Sequence, residues 1–257
     1  MSRVRGKFHW YELMTTDPVA AGEFYSRVVG WGLQDMGHPG ASYTLLQVEG
    51  KGVAGIAPLS DASRAWDARP GWIGYVGVDD VDALAAELAK AGGKLLTPPA
   101  DIPGILRFAT VADPQGAVFM LFKGFSAEAP STGGPDDPGY VGWHELMAGD
   151  GLKAFDFYSG LFGWTKADQF DMGAMGPYVL FAAGEGAVGG IMTKPPELPA
   201  PFWSYYFQVD SIGAAATRVK DAGGTVLLGP QQVPTGQWII QATDPQGAMF
   251  CLLSTKE

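Results

Sequence analysis

The sequence predicts an α+β fold: a tandem repeat of two domains, each a pair of βαβββ modules that form a cupped mixed sheet with helices outside. The stretch WYELMTTDPVAAGEFYSRVVGW at 10–31 recurs as WHELMAGDGLKAFDFYSGLFGW at 143–164. Further along, VDDVDALAAELAKAGGKLL at 78–96 matches VDSIGAAATRVKDAGGTVL at 209–227, and ADPQGAVFMLF at 112–122 matches TDPQGAMFCLL at 243–253. Self-similarity at a nearly fixed period indicates a repeat architecture.

The first module begins with a short apolar strand, FHWYELMTT. Asp17-Pro18 follows it and suits a helix start, because Asp caps free backbone N–H groups and Pro fits the first turn. The helix is expected to end at Gly30. SYTLLQVEG and GVAGIAPL then have the composition of strands.

The second module begins with the strand WIGYVGVD. Its helix is predicted to follow Asp79-Asp80 and to stop at AGG, residues 91–93, where glycine can end a helix. KLLTPP, ILRFATVAD and AVFMLFK supply strands, and DPQG forms a tight turn between the last two. The order βαβββ is therefore expected four times in the chain.

These patterns predict the domain limits. The first domain is expected at 1–123, with modules at 8–58 and 70–123. The second is expected at 140–257, with modules at 140–193 and 202–254. Between them, GFSAEAPSTGGPDDPG at 124–139 is rich in Gly, Pro, Ser and acidic residues, which is typical of a linker.

Composition narrows the classes of function. Hydrophobic residues make up 47% of the chain, so a sizeable core is expected. The formal net charge of −10 argues against nucleic-acid or anionic-membrane partners. No apolar run is long enough to cross a bilayer, and MSRVRGKFHW lacks the apolar segment of a secretory signal. Cys251 is the single cysteine, which excludes an intramolecular disulfide and favours a cytoplasmic location.

The combination of motifs resembles a known superfamily. Paired βαβββ modules, FYS…GW around the first helix, AGG after the second and DPQG before the last strand resemble the vicinal oxygen chelate superfamily. Glyoxalase I, extradiol dioxygenases, fosfomycin resistance enzymes and bleomycin resistance proteins belong to it. The double form with Trp-x-Glu-Leu near the start of each domain resembles bacterial glyoxalase-like proteins, some of which are labelled hydroxylases.

The resemblance implies a test for metal binding. In the metal enzymes of this superfamily, His, Gln or Glu on the first and last strands of two modules hold a divalent cation in the cup. None of the matching positions here carries such a side chain, so we expect no metal and no other cofactor. The positions are Trp10, Gly55, Ile73 and Met120 in the first domain, and Trp143, Gly190, Ser204 and Cys251 in the second.

Strand parity predicts what faces each cup instead. Alternate side chains of a strand share a face, so Trp10, Glu12 and Met14 are expected to point the same way. Glu12 and Glu145 are the candidate catalytic residues, because a carboxylate in an apolar cup has a raised pKa unless it is paired. The predicted ligand-binding residues are Trp10, Met14, Tyr75, Met120, Trp143, Met147, Tyr206 and Cys251.

Each candidate also has a structural interpretation. Trp10 and Trp143 can fill the cups as core residues, and the two glutamates can pair with backbone N–H groups or with an arginine such as Arg107. Tyr75 and Tyr206 can be core residues, and Cys251 is expected to be a buried small hydrophobe. His144 is expected to pack toward the helices, and His9 and His38 to lie at the surface or in loops.

Three functions remain open at this point. The first is a metal-free binding protein for a small aromatic or amphipathic molecule. The second is a metal-independent lyase, isomerase or hydroxylase-like enzyme that uses Glu12 or Glu145 as acid or base. The third is an interaction scaffold whose cups are filled by side chains. The oligomeric state stays open, and a monomer is compatible with domains that already pair two modules.

Overall fold

The computed structural model describes residues 5–37, 42–60, 68–125, 133–134 and 136–257. Within these ranges the strands form two mixed β-sheets accompanied by four α-helices. The predicted α+β class is therefore confirmed. None of the helices in these ranges has the length and apolarity needed to cross a membrane.

The first module contains one helix between strands, as predicted. Asp17 caps the helix through a 3.0 Å bond from the Ala20 N–H, and Gly30 ends it at a φ of 91° that favours glycine. The strands lie in the order β2-β3-β4-β1, with β1 and β4 parallel. Its elements are β1 (Phe8–Thr15), α1 (Pro18–Val29), β2 (Gly32–Asp35), β3 (Thr44–Val48) and β4 (Lys51–Pro58).

The second module repeats this order with one extra short strand. Asp80 caps its helix, which ends at Lys90 just before the predicted AGG stop. The strand order is β5-β9-β8-β6, and β7 pairs with β8. The elements are β5 (Gly71–Gly77), α2 (Val81–Lys90), β6 (Lys94–Leu95), β7 (Ala100–Ile102), β8 (Leu106–Ala112) and β9 (Val118–Gly124).

The third and fourth modules have the same orders, β11-β12-β13-β10 and β14-β17-β16-β15. The third comprises β10 (Val141–Ala148), α3 (Gly151–Phe162), β11 (Thr165–Asp171), a 3-10 turn (Gly173–Met175), β12 (Pro177–Ala182) and β13 (Ala187–Thr193). The fourth comprises β14 (Phe202–Gln208), α4 (Ile212–Asp221), β15 (Thr225–Gln232), β16 (Trp238–Thr243) and β17 (Met249–Ser254).

Contacts divide the chain into two compact units, and each unit takes segments from both halves of the sequence. Unit one comprises 1–9, 74–129 and 144–203, so it joins the second and third modules. Unit two comprises 10–73, 130–143 and 204–257, so it joins the first and fourth. The domain limits 1–123 and 140–257 stay predictions, and most of the predicted linker lies outside the described residues.

A chain of buried hydrogen bonds ties the first module to the fourth in unit two. The Trp72 indole N–H donates to the Tyr25 hydroxyl at 3.0 Å, and Tyr25 donates to the Asp244 carboxylate at 3.2 Å. Asp244 also accepts from the backbone N–H groups of Gln246 and Ala248. The Tyr of FYS and the Asp of DPQG are thus joined across the repeat.

Unit one contains the equivalent chain. Trp203 donates to the Tyr158 hydroxyl at 3.0 Å, and Tyr158 donates to Asp113 at 3.2 Å. Burial raises the pKa of both Asp113 and Asp244, although the hydrogen bonds that they accept act in the opposite direction. The repeated motifs FYS and DPQG therefore have a packing role in this protein.

Two sequence interpretations need correction. His9, predicted at the surface, is buried in β1, and its ring lies edge-on to Phe122 at 6.1 Å. The reason is parity, since His9 shares the face of Tyr11 and Leu13, which are also buried. Arg107, offered as a partner for the glutamates, binds Asp82 and Asp101 instead, at 2.6 and 2.8 Å. His38 lies outside the described residues.

Candidate functional site

The two faces of β1 differ in burial as parity predicts. Trp10, Glu12 and Met14 are half-buried, whereas Leu13 and Thr15 between and after them are completely buried. In β10, Trp143 and Met147 are likewise half-buried, and Glu145 between them is 8% exposed. Each first strand therefore presents a tryptophan, a glutamate and a methionine on its less buried face.

A glycine opposite Glu12 lets a tyrosine reach this face. Gly55 of β4 is the register partner of Glu12, and a Cβ built on Gly55 would overlap the ring and hydroxyl of Tyr43. Tyr43 stands just before β3, so its side chain must cross β4 to reach β1. Only glycine leaves room for that crossing.

The Tyr43 hydroxyl joins the two polar groups of the β1 face. It accepts the Trp10 indole N–H at 3.2 Å and is hydrogen-bonded to Glu12. Burial, followed by the negative charge of Glu12, raises the pKa of Tyr43 well above its usual range. Tyr43 thus stays a neutral phenol that holds the Glu12 carboxylate in place.

The third module contains the same arrangement. Gly190 is the register partner of Glu145, and the ring of Tyr178 occupies the space that a Cβ on Gly190 would need. The Tyr178 hydroxyl donates to Glu145 Oε1 at 2.9 Å. The repeated feature is therefore a phenol–carboxylate pair packed over a glycine.

The other predicted site residues are more deeply buried. Tyr75 and Met120 are register partners on parallel strands of unit one and are 6% and 5% exposed. In unit two, Tyr206 and Cys251 are register partners in a buried cluster with Ile239 and Leu253, against which Trp143 packs. Cys251 is completely buried, as predicted, and Tyr206 accepts a hydrogen bond from Gln241 at 3.2 Å.

His144 has the packing role that the sequence predicts. It is 8% exposed, its ring stacks on Phe8 with centroids 4.5 Å apart, and its Nδ1 lies 2.7 Å from the Val188 carbonyl. Burial lowers the pKa of His144 to about 4. The histidine of the repeated block is therefore neutral near pH 7 and belongs to the core.

The side chains present do not fit the divalent cation that the resemblance implies. A tyrosine ring takes the space of the missing ligand side chain at Gly55 and at Gly190, and the Trp10 indole N–H can only donate. Among the residues that the structure describes, no three His, Cys, Asp or Glu side chains are grouped in a way that could hold a metal ion. The absence of a metal from the protein stays a prediction.

Comparison with known proteins decides the family. The family model described as Glyoxalase/Bleomycin resistance protein/Dioxygenase superfamily matches twice, over residues 7–121 and 140–252. The chain belongs to this superfamily. The resemblance predicted from the repeated motifs is thereby confirmed, and the two matches coincide with the two halves of the repeat.

Two relatives of this superfamily member match along nearly the whole chain. CFP32 of Mycobacterium bovis, which carries the provisional name of a glyoxylase, is 32% identical over 251 residues, covering 97% of this chain and 95% of the relative. DnrV of Streptomyces peucetius, an anthracycline biosynthesis protein, is 32% identical over 266 residues, covering 96% and 93%.

A solved structure supports the fold. The Mn(II)-bound glyoxalase from Novosphingobium aromaticivorans has a TM-score of 0.67 and 18% identity, and the match covers 98% of this chain and 83% of that chain. At this identity the likeness concerns the fold alone. Metal ligation in that glyoxalase therefore does not transfer to the Gly55 and Gly190 positions of this chain.

Tyr43 and Tyr178 belong to the candidate site and were not among the residues predicted from the sequence. A signal for them exists, because each tyrosine precedes its glycine by twelve residues, from Tyr43 to Gly55 and from Tyr178 to Gly190. The match is obscured by a change in loop length between the first helix and these strands. The spacing alone does not show that the tyrosine lies over the glycine, which becomes clear only from the strand register.

Replacing Gly55 or Gly190 with alanine is expected to displace the tyrosine and lower the free energy of unfolding by about 1–3 kcal/mol. The added methyl group and the phenol cannot share the same space. Chemical denaturation measures the change, and Tyr43→Ala combined with Gly55→Ala is the relief control. If Gly55→Ala were as stable as the wild-type protein and the double variant, the packing of Tyr43 over Gly55 would be contradicted.

Proposed function

We propose that this superfamily member binds a small aromatic or amphipathic molecule at the less buried faces of β1 and β10, with neither metal nor cofactor. The observation that carries the proposal is the repeated set of a half-buried tryptophan, a glutamate bonded to a tyrosine, and a half-buried methionine. A face made only for core packing would not need a carboxylate in both repeats.

The chemistry of the set suits such a ligand. Trp10 and Trp143 offer aromatic surface, and Met14 and Met147 offer polarisable side chains that adapt to irregular shapes. The phenol–carboxylate pair supplies a fixed polar anchor for a hydroxyl or amine of the ligand. Apolar walls with a few convergent polar groups are the usual composition of small-molecule sites.

The name of one relative supports an aromatic ligand. DnrV is named as an anthracycline biosynthesis protein, and anthracyclines are polycyclic aromatic compounds. The similarity extends along nearly the whole of both chains. We therefore place polycyclic aromatic compounds first among the ligand classes to be tested, in a protein that we propose acts in the cytoplasm without nucleic-acid or membrane partners.

Glu12→Gln and Glu145→Gln are expected to weaken ligand binding roughly tenfold each at their own sites, because each removes a charged hydrogen-bond acceptor. Native mass spectrometry of freshly purified protein identifies a co-purified compound, and calorimetric titration of that compound measures affinity. Glu23→Gln, on the exposed side of α1, is the matched control and should bind like the wild-type protein.

Three results would count against the proposal. If both glutamate variants bound the ligand with wild-type affinity, the carboxylates would not be part of the binding site. About one equivalent of iron, zinc, nickel or manganese per domain in elemental analysis would contradict the metal-free part. If no aromatic compound of any class bound to the protein, the third hypothesis would remain, in which the cups are filled by side chains such as Trp143.

A second candidate function is general acid–base catalysis. The observation favouring it is the 2.9 Å hydrogen bond between Tyr178 and the almost buried Glu145, because a desolvated carboxylate with a phenol partner can take and return a proton. The enzyme hypothesis requires that Glu145→Gln abolish turnover of the identified compound while binding persists. Loss of binding alone would favour the binding protein.

A further inference from the structure

A cleft of about 730 Å³ lies between α2, the DPQG turn and α3 in unit one, away from the strands described above. One wall carries Glu87 of α2, and the other carries Asp156 and the half-buried ring of Phe157 in α3. Gln115 fixes the end of the cleft, since its side chain bonds both the N–H and the carbonyl of Asp150 at 2.6 and 2.9 Å.

The repeat provides an internal comparison, because unit two contains the same three elements. There, Phe24 corresponds to Phe157 and is only 3% exposed. Its ring lies against Gly224, where an added Cβ would approach it to 2.9 Å, and beside Phe250 with centroids 5.6 Å apart. The aromatic side chain that is buried in unit two is thus left half-buried in unit one.

Two sequence differences distinguish the units here, and the first explains the contrast in burial. Leu88 stands where unit two has Val219, and the larger Leu88 covers Gly93, the counterpart of Gly224. Phe157 therefore cannot take the position that Phe24 takes. This difference leaves open space beside Phe157, and a Cβ built on the neighbouring Gly160 would meet no atom within 4 Å.

The second difference reverses a charge. Arg218 of α4 donates to the Val28 carbonyl at the end of α1 at 3.0 Å and pairs with Asp210 at 2.7 Å. The counterpart of Arg218 in α2 is Glu87, which cannot donate to a carbonyl. The bridge that joins the two helices in unit two is therefore replaced by a carboxylate in unit one.

The cleft has an excess of negative charge. Its charged lining comprises Glu87, Asp150, Asp156 and Lys153, and Lys153 is paired with Asp150 at 2.9 Å. Among the described residues, neither Glu87 nor Asp156 forms an ion pair. Two carboxylates thus stand beside an aromatic wall.

We propose that this cleft is a second ligand site, which takes a small organic cation with an aromatic part, such as an arylalkyl ammonium. The ammonium group lies between the Glu87 and Asp156 carboxylates, and the ring packs on Phe157 and Leu161. An anionic ligand of the same shape is excluded by the two carboxylates. This site is independent of the proposed function of β1 and β10.

The experiment titrates the full chain with 2-phenylethylammonium chloride at low ionic strength and follows backbone amide shifts by NMR. We expect saturable shifts confined to α2, the DPQG turn and α3, with millimolar affinity that weakens as salt is added. Glu87→Gln and Asp156→Asn should each weaken binding by roughly twofold to fivefold. Glu23→Gln, which alters the counterpart of Asp156 in unit two, is the matched control and should bind the probe unchanged.

The double variant Glu87→Arg with Leu88→Val copies the sequence of unit two into α2 and should abolish probe binding. Because that sequence already packs in α4, the variant is expected to fold, and thermal unfolding checks this. If the double variant does not fold, the binding affinities of the two single carboxylate variants test the proposal. Equal binding of 3-phenylpropanoate, unchanged binding in the carboxylate variants, or shifts centred on β1 would each overturn the proposal.

Discussion

Replacing Asp244 with alanine is expected to lower the free energy of unfolding by about 3–5 kcal/mol. The carboxylate accepts hydrogen bonds from the backbone N–H groups of Gln246 and Ala248 and from the Tyr25 hydroxyl. Alanine leaves all three donors without that acceptor in a buried place, and each unsatisfied donor costs roughly 1–3 kcal/mol. Chemical denaturation followed by far-UV circular dichroism measures the loss.

Graded substitutions separate the contributions. Asp244→Asn keeps an acceptor oxygen and should lose much less stability than Asp244→Ala. Tyr25→Phe removes two hydrogen bonds, the one donated to Asp244 and the one accepted from Trp72, and should cost about 2 kcal/mol. Asp221→Ala, at an exposed helix end, is the control and should change little. A loss below about 1 kcal/mol in Asp244→Ala would show that solvent replaces the carboxylate.

Acid is expected to destabilise the protein through His144 by about 3 kcal/mol between pH 6.5 and 4. Burial lowers the pKa of His144 from 6.5 to about 4 in the folded protein. Between these values the unfolded chain binds a proton on His144 and the folded protein does not. The free energy of unfolding therefore falls as the pH falls through this window, and the full loss is reached below pH 4.

The measurement compares wild-type protein with His144→Phe at each pH. Phenylalanine can stack on Phe8 but does not titrate. As the pH falls, the free energy of unfolding should therefore fall more in the wild-type protein than in His144→Phe. Asp113 and Asp244, whose raised pKa values act in the opposite direction, are present in both proteins and cancel. Parallel pH curves for the two proteins would contradict a buried neutral histidine.

The fold was predictable because its signals are local. Asp17-Pro18 and Gly30 mark the ends of α1 through capping and a positive φ, and these depend on a few neighbouring residues. The repeat then extends each assignment to a second place in the chain. The surface position predicted for His9 is wrong because strand parity, which turns Trp10 to the less buried face of β1, turns its neighbour His9 toward the core.

The candidate site was predictable only in part. Parity on β1 and β10 places Glu12 and Glu145 on the less buried faces without any knowledge of neighbouring strands. Their tyrosine partners depend on the register between three strands and on the space above Gly55 and Gly190. The periodicity of a single strand does not contain that information, so the structure was needed to identify Tyr43 and Tyr178.

The composition of the two compact units has a consequence for the joining of the halves. Each unit needs one module from the first half and one from the second, so a polypeptide of one half could complete such units only by associating with another copy. That association would depend on protein concentration. Covalent connection makes the same pairing intramolecular, with an effective concentration set by the connecting segment. Because both halves are on one chain, the stability of these units does not depend on protein concentration.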